Sequence, residues 1–177
     1  MRRMGADGAV KRIIVGATGA SGLPILVKCL ELIGEQPEYE SYLIMSDSAV
    51  LTLGQETNLS AKQVEGLADH VLGPDEIGAG PASGSFATAG MLIVPCSMKT
   101  IAGIHSGYAE NLILRAADVT IKEHRTLVLA ARETPCLLYT SLLRPSSATP
   151  FWTPRKRCIS ASPPCPIAVC PVPFPAS

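Results

Sequence analysis

The chain has 177 residues and carries 15 Lys and Arg against 15 Asp and Glu. That length suits one α/β domain with a full core, and the balanced charge supplies no field to draw in nucleic acid or an anionic membrane. No apolar run approaches the roughly 20 residues that span a bilayer, and the N-terminus lacks the apolar stretch and cleavage site of a secretory signal, so the expected compartment is the cytosol.

Cysteine spacing excludes two further classes. Cys29, Cys96 and Cys136 lie far apart, Cys158, Cys165 and Cys170 crowd into the C-terminal stretch, and no CxxC pair occurs. A zinc site wants closely spaced ligand pairs, and a small disulfide-stapled fold would not carry so long an apolar N-terminal half. Free thiols are the expectation.

The first eleven residues, MRRMGADGAVK, have no periodicity and read as a leader. Arg12 to Gly16 is an apolar β-branched run ending in glycine, followed by ATGASG and then by Leu23 to Ile33 at helical spacing. This is a strand, a glycine turn and a helix. Pro24 falls in the first helical turn, where its missing N–H costs nothing. Glu40 to Met45 reads as a second strand, and Ser46-Asp47-Ser48 offers N-cap oxygens for a helix over 49–56. A polar loop spans 73–84, and Met91 to Cys96 is another buried strand. Ser97-Met98-Lys99-Thr100 opens a helical segment, 112–119 is helical, and Thr126 to Ala131 is a further apolar strand.

Strands apolar on both faces that alternate with helices imply an α/β fold, a parallel sheet covered on both sides. Ligands of such sheets bind where strands end and helices begin, which is where each polar cluster named above falls. Gly16, Gly19 and Gly22 have the GxxGxxG spacing that lets amides at a helix N-terminus approach an anion. The same turn suits a nicotinamide reductase, with Asp47 near the expected acidic position. That reading requires Tyr with Lys four residues on, and no Tyr of this chain has one. Plainer accounts exist as well: the glycines allow close packing, Ser46 and Ser97 cap helices, and Lys122, Glu123 and Arg125 form a solvated charged surface.

Taken together, RIIVGATGASG (12–22), LIMS (43–46), SFATAGMLIVPCSMKTIAGIHSG (85–107), NLILRAADV (111–119) and KEHRTLVLAARETP (122–135) resemble the flavin prenyltransferases of ubiquinone biosynthesis and of aromatic-acid decarboxylase operons. The resemblance implies a three-layer, Rossmann-like flavoprotein fold over 12–135 that binds FMN. It implies that Gly19, Ala20 and Ser21 contact the flavin, that Ser46, Ser97, Met98, Lys99 and Thr100 hold its ribityl phosphate and ring edge, and that Arg132 lies on it. Lys122, Glu133 and Glu56 are similar to the charged groups at the prenyl phosphate. It further implies dimethylallyl monophosphate as donor, a UbiD-type decarboxylase as recipient of the prenylated FMN, and a homo-oligomer. No metal is required. A non-catalytic FMN-binding remnant is the weaker form of the same reading.

After Pro135 the pattern breaks. Residues 136–177 hold nine of the fifteen prolines and no Asp, Glu or Gly, a density that forbids helices and central strands. The family continues with a proline-rich loop bearing Tyr and a final helix bearing Arg, both at the prenyl phosphate. Tyr139 and Arg144 come too early to match them, and Pro171 to Phe174 resembles the loop only faintly. The tail is therefore expected to be irregular and translated out of frame or from foreign sequence.

Overall fold

The computed structural model describes residues 10–131 and 167–171. Six strands form one sheet in the order β3-β2-β1-β4-β5-β6, and every neighbouring pair is parallel. They are β1 (Lys11–Ala17), β2 (Tyr39–Met45), β3 (His70–Leu72), β4 (Gly90–Cys96), β5 (Thr126–Ala131) and β6 (Ile167–Pro171). The helices are α1 (Leu23–Gly34), α2 (Asp47–Glu56), α3 (Ala61–Glu65), α4 (Met98–Ser106) and α5 (Leu112–Lys122).

Two cores flank the sheet because successive strand residues point to opposite faces. Ile14, Ile44, Ile93 and Leu129 pack with Ile101 of α4 and with Leu112, Ile113 and Ala116 of α5. Their neighbours Val15, Leu43, Val94 and Ala130 pack with Leu23, Leu26 and Leu30 of α1, Leu53 of α2 and Val64 of α3. The expected three-layer arrangement is present, with one helical layer on each side.

Where the elements differ from the sequence reading, short range or proline explains it. The segment between α2 and the polar loop holds α3 and β3, elements of five and three residues too short for periodicity to reveal. A reciprocal Ser60–Gln63 capping box starts α3. At the edge, β3 is held by side chains: His70 stacks on Tyr42 with ring centroids 4.3 Å apart, and its Nε2 lies 2.8 Å from Glu40. That hydrogen bond holds the Glu40 carboxyl below its usual range. The tail, expected to be irregular, contributes β6, which lies beside β5 at the sheet margin, the place where proline is tolerated in a strand.

The charged stretch after α5 is not simply solvated. The Arg125 guanidinium donates to the carbonyls of Gly84 and Phe86, both at 2.7 Å, and to Thr88 Oγ1 at 3.3 Å, which ties the loop before β4 to the start of β5.

Glycine matters at β4 because the strands approach closely there. A Cβ on Gly90 would lie 2.6 Å from the Thr126 carbonyl oxygen, whereas one on Gly54, inside α2, would meet nothing within 4 Å. Gly90→Ala is expected to destabilise the fold by about 1–3 kcal/mol and Gly54→Ala to stabilise it by about 0.5–1 kcal/mol, with opposite shifts in thermal midpoint by circular dichroism.

Candidate functional site

The polar clusters meet where the connections of the sheet diverge. From β1 the chain passes into α1 on one face, and from β4 into α4 on the other, so the crevice beyond the ends of β1 and β4 is the topological switch point. Pairing of β1 with β4 runs from Ile13–Gly90 to Gly16–Ile93. Beyond it Thr18 joins the strand ends. Its N–H and its hydroxyl both donate to the Pro95 carbonyl, at 3.2 and 2.9 Å, and the Ser97 N–H donates to the same hydroxyl at 2.8 Å. On the other side the Ser46 N–H donates to the Ala17 carbonyl at 3.0 Å. Three strand ends are thus stitched side by side.

Ser46 and Ser97 are the N-caps of α2 and α4, as the capping account required. Ser46 Oγ accepts from the Ala49 N–H, and Ser97 Oγ accepts from the Thr100 N–H while lying 3.0 Å from Thr100 Oγ1. Capping and ligand contact are compatible, because the remaining first-turn amides of each helix have no acceptor within the helix and favour an anion. Met98 is half-buried against the core. Thr100 is buried.

An open cleft of about 330 Å³ lies over these termini. Ser46, Asp47 and Ser48 line it from α2, Pro74 and Asp75 from the polar loop, and Lys99, Glu110 and Asn111 from α4 and the loop before α5. Its volume is at the small end for a cofactor site. Lys99 Nζ lies 2.9 Å from Glu110 Oε1. Their hydrogen bond raises the lysine pKa and lowers that of the glutamate.

The glycine turn adjoins the cleft, and the amides at its C-terminal end are already engaged. A Cβ on Gly19 would run into the Ser48 side chain, and Gly22 has φ +123°, a conformation that glycine alone adopts without strain. Glu56, at the far end of α2, accepts from the Gly22 and Leu23 N–H groups at 2.8 and 3.0 Å through one oxygen. The two amides at the start of α1 are thus held by this carboxylate of the chain itself. Ala20 and Ser21 are half-buried in the same turn.

Lys122 does not converge here. It ends α5 and pairs with Glu123 at 3.5 Å. The helix begins beside the cleft after Asn111, so at about 1.5 Å per residue Lys122 lies about 16 Å along it. Arg132 and Glu133 lie outside the described residues. Sequence reasoning passed over Thr18, whose role lies in contacts to a segment 77 positions away rather than in the glycine turn that contains it, and Glu110, which belongs to no local motif with a chemical signature. Cys96 is buried at the end of β4, its thiol pushed up to about 12 by burial, which leaves it protonated and unreactive at neutral pH.

The chain belongs to the flavoprotein family, whose model matches residues 2–155. Its relatives place it in the flavin prenyltransferase branch. It is 53% identical over 124 residues to a probable UbiX-like flavin prenyltransferase of Streptomyces sp. (strain D7), covering 70% of this chain and 62% of the relative. It is 52% identical over 126 residues to the flavin prenyltransferase LpdB of Lactiplantibacillus plantarum, covering 71% and 67%. The fold superposes on a dodecameric FMN-dependent UbiX-like decarboxylase from Escherichia coli O157:H7 with TM-score 0.72 at 47% identity, over 74% of this chain and 71% of that one. It superposes on AnUbiX (PadA1), solved with FMN and dimethylallyl pyrophosphate, with TM-score 0.73 at 44% identity, over 75% and 70%. The chain spans less than two thirds of the length of the Streptomyces relative.

Thr18 is the joint of this site and is 5% exposed. Thr18→Val, which keeps the shape, strands the Ser97 N–H and removes one of the two donors to the Pro95 carbonyl, is expected to cost about 1–3 kcal/mol in urea unfolding. Thr18→Ser should recover most of that loss; equal losses would mean that the methyl group, not the hydroxyl, matters.

Proposed function

We propose that the chain is a flavin prenyltransferase that moves a dimethylallyl group from dimethylallyl monophosphate to reduced FMN. The observation that carries this reading is the convergence of two serine-capped helix N-termini and Lys99 on one switch-point cleft. Its support from relatives is an identity of about half with proteins of that activity.

The residues present fit a phosphorylated flavin. Ser46 and Ser97 with the first turns of α2 and α4 would take the phosphate, together with Lys99 and Thr100. Gly19, Ala20, Ser21 and Met98 would border the flavin, with Arg132 on it. When bound, reduced FMN supplies the electron-rich ring that accepts the dimethylallyl carbon. Departure of phosphate from that carbon needs a cation beside it, the role we give Lys122, and a carboxylate to move a proton, the role we give Glu133. Glu56 stands against the turn that carries Ser21 and fixes it through the Gly22 and Leu23 amides.

Lys122 of the same copy lies too far along α5 to serve this cleft. A homo-oligomer that brings Lys122 of another copy to it resolves the difficulty, and the dodecameric state of the Escherichia coli relative supports that arrangement. The product would be prenylated FMN, used by a UbiD-type decarboxylase, in the cytosol. Among the described residues no helix is long and apolar enough to cross a membrane. No observation favours the nicotinamide reductase.

Purified protein is expected to bind FMN and, with reduced FMN and dimethylallyl monophosphate under anaerobic conditions, to release phosphate in step with formation of an altered flavin spectrum. Full FMN occupancy without phosphate release would leave only a flavin-binding remnant. Absence of FMN binding would remove the flavin reading altogether.

A further inference from the structure

Lys99 does not stand free in the cleft. Among the described residues that line it, Lys99 is the one cation, against the carboxylates of Asp47, Asp75 and Glu110, and its ammonium is engaged by Glu110 at 2.9 Å. The two partners are held differently. Glu110 sits on a short connection fixed at both ends: the Tyr108 N–H donates to the Gly103 carbonyl at 2.9 Å, and the Leu112 N–H donates to the Pro74 carbonyl at 2.7 Å. Asn111 beside it caps α5. The Lys99 side chain, by contrast, is 83% exposed, on a flexible four-carbon stem that can swing about its Cα.

A phosphate arriving at the N-termini of α2 and α4 would therefore meet a cation already neutralised and carboxylates that repel it. We propose that Glu110 is a built-in competitor for the flavin phosphate: it holds Lys99 while the phosphate is absent and releases it when the phosphate takes its place. Resting on the FMN reading above, this makes Glu110 a residue that sets how strongly the site prefers a phosphorylated flavin to an unphosphorylated one. The exchange is easy because an exposed ion pair is weak, whereas a phosphate offers Lys99 more charge and binds the helix termini as well. Asp47 and Asp75 carry the same sign but have no ion pair with Lys99, so their removal would lessen repulsion without freeing the cation.

The test is the dissociation constant of the full chain for FMN and for riboflavin, by quenching of flavin fluorescence, at low and at high salt. Wild type, E110Q, K99M and the E110Q/K99M pair are compared, with thermal midpoints to verify folding. E110Q is expected to tighten FMN binding roughly three-fold or more at low salt and to leave riboflavin unchanged. The gain should shrink at high salt, as screening shortens the reach of charge from about 10 Å to about 3 Å, and should vanish in the K99M background. FMN binding unchanged or weakened in folded E110Q, or equal shifts for FMN and riboflavin, overturns the role of Glu110 while the flavin reading stands. Failure of all four proteins to bind FMN overturns both.

Discussion

Everything at the site depends on how the chain closes the gap at the switch point. Where the connections of β1 and β4 leave for opposite faces, ladder pairing stops at Gly16 and Ile93, and backbone groups just beyond would be left without partners. One buried residue replaces the ladder through its N–H and its hydroxyl. Thr18 donates to Pro95 and accepts from Ser97, so the glycine turn after β1 and the helix start after β4 are held in one relation. A third contact, from Ser46 to Ala17, adds the end of β2. The two serine caps and their helix termini are positioned by these bonds, and the cleft exists because they are.

That joint could not be seen in the sequence, although the elements around it could. The run from Arg12 to Ile33 announces strand, turn and helix through local pattern alone, and the strands from Leu43 to Met45 and from Met91 to Cys96 announce burial on both faces. Ser46 and Ser97 were legible as caps because capping is a matter of a few residues. Contacts between distant segments left no such trace. Glu56 serves the first turn of α1 from 33 and 34 positions away, Arg125 grips a loop about 40 positions earlier, and Lys122, placed beside a donor phosphate by resemblance, ends a helix that leads away from the cleft. The family pattern gave the residues; the topology decides which of them one copy can bring together.

The distribution of charge separates this site from a simple glycine-loop phosphate binder. The α1 terminus, where the spacing of Gly16, Gly19 and Gly22 points, is held by Glu56. The termini of α2 and α4 carry serine caps instead and face the cleft with Lys99, whose charge Glu110 offsets. Two of the protein's own carboxylates thus occupy anion-seeking groups, one to shape the turn and one against the cation of the cleft. On the proposed reading a ligand phosphate lies at the pair of serine-capped termini, beyond the ends of β2 and β4 that flank β1, with the flavin bordering the turn that carries Ser21.

Hydrogen exchange with and without FMN tests that placement most directly, since it reports on backbone amides one segment at a time. The account predicts that FMN slows exchange most in 18–22, 46–50 and 97–101, the turn and the first turns of α2 and α4, with little change in β3. Protection centred elsewhere, or FMN binding that leaves the first turns of α2 and α4 exchanging as before, would contradict it.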